Sequence, residues 1–222
     1  ADGRMPARTA AGREKLAKAP RFAWPEREGA WWLETGDTPY DGPENMVLGV
    51  RCIYQPGASV AIRPLPYNNL KTIVQTDDYV MIMIEWMHWA RVIRLDSEHK
   101  SAELSSLDGD SIGWWDGDTL VVETTNFRDR PAFSRGSKNM TVTERFRMES
   151  TDKLVYSFTV EDPTVWSAPF TGEYAWPRSD NKVFEYACHE ANYALEGIMH
   201  GARLLEADFR GEEPDGVANP TR

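Results

Sequence analysis

Two hundred and twenty-two residues, 41% hydrophobic and 27% charged, fit one large globular domain or two small ones and exclude collagen, coiled coil and low-complexity chains. Lys plus Arg number 25 against 35 Asp plus Glu, and the resulting net charge of −10 argues against nucleic acid as the partner. The longest uninterrupted apolar run, Tyr79 to Ile84, is far short of the roughly 20 residues that a membrane-spanning helix needs.

Taken in chain order, Thr9 to Ala19 predicts a short helix, capped by Thr9 and stopped by Pro20. Pro20 to Tyr67 is punctuated by proline and glycine and predicts an extended segment, with one strand at Val47 to Tyr54. From Lys71 onward, short β segments follow at hairpin spacing. Lys71 to Thr76 comes first, and Asp77-Asp78 separates it from the long run Tyr79 to Leu95. Ser111 to Trp115 and Asp118 to Thr125 flank Asp116-Gly117, whose residue types suit a tight hairpin turn. Met140 to Glu149, Leu154 to Glu161, Ala168 to Ala175 and Lys182 to Cys188 complete the set, and a helix is expected over Ala191 to His200. The fold class expected is mainly β, an antiparallel barrel or sandwich of calycin or lipocalin type. A helix and extended arm would occupy residues 1–66, the β domain with its closing helix 67–210, and a loose acidic tail 211–222, all as one structural domain.

Strand side chains alternate faces, so parity identifies charged groups that share a face with the core. Read as one strand, Tyr79 to Leu95 is apolar on both faces, which makes Glu85, His88 and Arg91 polar groups in a buried segment. Burying them costs several kcal/mol unless each is paired. In Met140 to Met148, Val142, Glu144, Phe146 and Met148 share one face, so Glu144 points inward. In Lys182 to Cys188, Glu185 shares a face with His189, and Glu190 follows. Such a constellation in an aromatic interior suits acid–base chemistry. His189, held by Glu185 or Glu190, would be the base; Glu144 or Glu85 the acid, with His88 a further candidate; Arg91 would hold an anion. Trp86, Trp89 and Trp166 would line the pocket, and Tyr67 and Asn69 would offer phenol and amide groups. A turn is an equal reading of Tyr67-Asn68-Asn69, and a buried ion pair of Glu144 or Glu85 with Arg91 an equal reading of those carboxylates. His99 and His200 read as surface residues.

Metal-site spacings and nucleotide-binding glycine loops are absent, so neither a metal nor an organic cofactor is expected. No GxSxG nucleophile elbow occurs. Cys52 and Cys188 have neither zinc nor redox-motif spacing; the count alone fits a disulfide or two buried thiols.

The stretch Asp110-Ser111-Ile112-Gly113-Trp114-Trp115-Asp116-Gly117-Asp118-Thr119-Leu120-Val121-Val122-Glu123-Thr124-Thr125-Asn126-Phe127 resembles a block of a large family of uncharacterised bacterial exported proteins. Tyr67-Asn68-Asn69, Thr143-Glu144-Arg145-Phe146, Glu161-Asp162-Pro163 and Glu185-Tyr186-Ala187-Cys188-His189-Glu190-Ala191-Asn192-Tyr193 are similar to its other blocks. Family members usually have Gly at the position of Ala191. The resemblance implies export, hence a periplasmic or secreted protein and a disulfide between Cys52 and Cys188; it supplies no activity. The function expected is a cofactor-independent acid–base enzyme, a lyase or hydrolase, acting on a small hydroxylated, sugar-like or aromatic molecule. A non-catalytic small-molecule-binding protein of the same fold is the alternative, followed by a glycoside hydrolase with paired carboxylates and by a structural module without a pocket. Oligomeric state is left open.

Overall fold

The computed structural model describes residues 3–18, 28–54, 60–65, 67–129 and 136–212. The chain divides into two compact units, one of Ala1–Ala19 with Gln55–Tyr186 and the other of Pro20–Tyr54 with Ala187–Arg222.

The first unit is built on an eight-stranded sheet, β1 Lys71–Gln75, β2 Tyr79–Ile84, β3 Trp89–Leu95, β4 Asp110–Asp116, β5 Thr119–Thr125, β6 Thr141–Ser150, β7 Lys153–Glu161 and β8 Phe170–Pro177. The strands lie side by side in chain order and curl into a half-barrel, as the mainly β reading requires. Six of the seven pairings are antiparallel; β3 and β4 run parallel and meet only at Arg94 with Ile112 and at Leu95 with Gly113. The parallel step needs a long connection, and residues 96–109 provide it. Between β4 and β5 the chain reverses through Gly117 and Asp118, with Gly117 at φ +60°, the left-handed geometry for which the turn glycine is suited.

The concave side holds the core. Val80, Ile82, Ile84, Ile93, Leu120, Val122, Val142, Phe146, Tyr156, Phe158 and Val160 point inward from β2, β3, β5, β6 and β7 and are nearly fully buried. Aromatic rings tie β6, β7 and β8 together: Tyr156 stacks on Trp176 at 4.7 Å and tilts against Phe146 at 4.9 Å. Helix α1, Ala10–Lys18, begins where Thr9 Oγ1 accepts the Gly12 N–H at 3.0 Å, the cap that the sequence announces.

Two predicted strands are turns or irregular chain, and a third is split. Val47 to Tyr54 is a run of turns closed by bonds such as Cys52 N–H to Gly49 O, with Cys52 itself at φ +56°. Lys182 to Cys188 is irregular chain outside the sheet, and its Phe184 N–H is taken by the Glu85 carboxylate at 2.9 Å instead of by a strand. The run Tyr79 to Leu95 is a hairpin, because the chain turns over Glu85–His88, with Met87 at φ +59° and His88 at φ +38°. Neither residue type signals a turn, which is why the sequence reads as one strand.

In the second unit, helix α2, Trp31–Thr35, packs Trp32 with Ala30 against Ala202 of helix α3, Tyr193–Arg210. Helix α3 starts two residues later and ends ten residues later than its predicted span, capped by Asn192, whose side chain accepts the Leu195 N–H at 3.3 Å. Glu206 is buried and takes both the Trp32 indole N–H and Arg203 at 2.8 Å. A disulfide joins Cys52 to Cys188. No helix is long and apolar enough to cross a membrane among the described residues.

Candidate functional site

Parity on β6 is right: Glu144 points into the core and is fully buried. Burial of a carboxylate demands partners, and two supply them. Arg91 Nη1 on β3 donates to Glu144 Oε2 at 2.6 Å, and the Tyr156 hydroxyl on β7 donates to Oε1 at 2.6 Å. The Tyr156 oxygen in turn accepts the Ile62 N–H at 2.7 Å. Burial, then the Glu144 charge and its hydrogen bond, push the Tyr156 phenol well above its ordinary range. Burial works against the Arg91 charge, but Glu144 and, further off, Asp108 outweigh it and raise its pKa. This is the buried ion pair weighed as the equal reading of those residues. It leaves Arg91 half used: Nε and Nη2 are buried and have no hydrogen-bond partner among the described residues. Those two nitrogens share one edge of the guanidinium, the fork that takes two acceptor atoms side by side.

Arg91 lines a hollow of about 200 Å³ that opens where β3 and β4 part. Trp89, Ala90 and Val92 form its β3 wall, and the chain from Asp108 to Ser111 forms the other, with Lys100 at its rim. The Asp110 carboxylate organises that second wall. It takes Arg94 through Nη1 at 2.7 Å and Nη2 at 3.1 Å, His99 Nδ1 at 3.0 Å, and the Lys100 N–H at 3.0 Å. Burial raises the Asp110 pKa, but the bonds from Arg94, Lys100 and His99 and the Arg94 charge overcome it and hold the carboxyl well below the usual range. His99 is therefore no free surface group, for its other nitrogen meets Glu123 Oε1 at 3.2 Å.

The other sequence candidates lie elsewhere. Glu85 is buried beneath the β2–β3 turn and bonded to Phe184 N–H, while His88 is exposed in the same turn. Among the described residues no hydrogen bond joins Glu85, His88 and Glu144. Glu185, His189 and Glu190 are exposed. Trp86 is buried and stacked beneath the half-exposed Tyr67 at 4.5 Å, and Trp166 is a core residue set edge-on to Phe170. The Asn69 side chain clamps its own turn, accepting the Leu65 N–H at 3.0 Å and donating to the Leu65 carbonyl, so the turn reading of Tyr67-Asn68-Asn69 holds. Of the substrate-binding candidates, Arg91 and Trp89 reach the hollow. Sequence pattern points to none of Asp108, Asp110 and Lys100 and reads His99 as a surface residue; an Arg94–Asp110 charge pair 16 residues apart leaves no pattern that spacing alone identifies.

No protein-family model, curated protein or solved structure matches the chain. What the structure defines is a β half-barrel with a polar hollow at a fork in its sheet, and a disulfide of the kind that belongs to an oxidising, extracellular-type compartment.

Proposed function

We propose that the half-barrel unit is a small-molecule-binding module of a periplasmic or secreted protein, and that its ligand occupies the hollow between β3 and β4. One observation carries this reading: the buried Nε and Nη2 of Arg91, a residue lining the hollow, lack acceptors among the described residues. Each unmet buried donor costs about 1–3 kcal/mol, and a ligand that supplies the acceptors recovers that free energy. The acid–base reading draws less support, since both oxygens of Glu144 are taken by Arg91 and Tyr156. Binding needs only the shape and the donors that are in place.

The test is a saturation-transfer NMR screen of the full chain against a library of small hydroxylated and aromatic fragments, with each hit mapped on ¹⁵N–¹H spectra. Hits whose shifts cluster at residues 89–92 and 108–111 are the expected result. Hits that map only outside the hollow, or a library without hits, would overturn the assignment.

A further inference from the structure

The fork also exposes main chain. In β3 the Leu95 N–H bonds to Asp78 O on the β2 side, whereas the Asp96 N–H bonds to Gly113 O on the β4 side. Strand alternation then turns the N–H and C=O groups of Arg94, Val92 and Ala90 toward β4. Arg94 is at the last rung of the β3–β4 ladder; Val92 and Ala90 lie beyond it, where β4 has diverged. Their two N–H and two C=O groups point to the side of the hollow without a ladder partner on β4 among the described residues, and Arg91, whose buried Nε and Nη2 lack acceptors, lines the same hollow.

Charge decides what fits. The Arg91 charge is balanced by Glu144, that of Arg94 by Asp110, and Lys100 and Asp108 at the hollow balance one another in sign. Among the described residues, a ligand carrying net charge would meet no surplus of the opposite sign. A hydroxyl group both donates and accepts, so a ring bearing several hydroxyls can answer N–H, C=O and guanidinium groups together. The volume, about 200 Å³, is below that of sites for drug-sized ligands and suits one ring. The fork closes at Arg94 and Ile112, so an added peptide strand would meet a dead end.

We infer that the hollow takes one uncharged polyhydroxylated ring molecule, a monosaccharide or cyclitol, held by the main chain of Ala90 and Val92 and by the Nε/Nη2 edge of Arg91. The inference rests on the binding function proposed above and names its ligand class. The full chain, ¹⁵N-labelled, is titrated separately with D-glucose, myo-inositol, acetate and diglycine. The expected result is saturable movement of the Ala90 and Val92 amide signals with glucose or inositol. Val92→Pro deletes an N–H that no strand uses, so it should leave the far-UV circular dichroism intact while weakening that binding about tenfold. Ala90→Pro serves the same purpose should Val92→Pro fail to fold. Acetate or diglycine moving these amides while both polyols do not would overturn the ligand class and leave the binding function standing. No movement with any of the four overturns the inference, and an empty fragment screen beside it overturns the binding function as well. Polyol binding unaffected in a folded proline variant overturns the main-chain role.

Discussion

Replacing Glu144 by Leu removes the carboxylate hydrogen-bonded to a guanidinium with 6% of its side chain exposed. Breaking a buried pair from one side costs about 3–5 kcal/mol, because the remaining charge stays behind. Arg91→Met should cost less than Glu144→Leu: it also strands a charge, but it removes two donors that are already unmet, each worth about 1–3 kcal/mol. The double variant Arg91→Met/Glu144→Leu discards the pair and the unmet donors together, leaving only the Tyr156 hydroxyl without its acceptor. Its expected cost is about 1–3 kcal/mol, less than that of Glu144→Leu alone. The four proteins are compared by urea unfolding of the full chain, followed by circular dichroism, with unchanged slopes confirming that the same transition is measured. A double variant whose loss equals the sum of the two single losses would refute the reasoning, since additive costs mean that the two side chains do not depend on each other.

Reduction of the Cys52–Cys188 bridge, which spans 136 positions, should lower the stability of the second unit by on the order of 4–5 kcal/mol in the chain-entropy model. A thermal melt at 222 nm with and without dithiothreitol reads it, and superimposable curves would contradict it. Trp32→Phe keeps an aromatic ring but deletes the indole N–H that Glu206 accepts, so a loss of at least about 1.5–3 kcal/mol is expected in the same melt. Gly109 sits at φ +73°, and an added Cβ there would overlap the Thr125 carbonyl; Gly109→Ala should destabilise the chain and broaden the amide signals of Asp108 to Ser111 in NMR spectra. Asp110 has its pKa depressed in the folded state, so its contribution is present above the ordinary carboxylate pKa of about 4 and is lost as pH falls below it. The stability gap between the native protein and Asp110→Asn should be flat from pH 7 to about pH 5 and shrink in stronger acid; a gap that widens on acidification would reverse the sign.

Side-chain periodicity made part of this molecule legible. Glu144 was readable as inward because Val142 and Phe146 flank it on a regular strand, and β1 and β4 to β8 were readable from the turn residues between segments. Alternation misled where it met no partner strand: Lys182 to Cys188 has the rhythm of a strand, but its Phe184 N–H goes to a carboxylate. It also hid the β2–β3 turn, because Met87 and His88 hold positive φ without being residues that favour it. The hollow lay outside the reach of sequence for a different reason. Its most distinctive groups are the main-chain atoms of Ala90 and Val92, which every residue carries, and what sets them apart is that β4 leaves β3 after two rungs.

The covalent link between Cys52 and Cys188 has a consequence for how the chain is made. The two halves of the second unit, Pro20–Tyr54 and Ala187–Arg222, are interrupted by all eight strands of the other unit. On emergence from a ribosome or a translocation channel, the first thiol has no mate until the whole meander has followed it out. The neighbouring strands of the half-barrel are consecutive in the chain, so their pairing does not wait for the second thiol. Closure of the bridge is then a late event in biogenesis, since Cys52 cannot pair with Cys188 until synthesis has passed it.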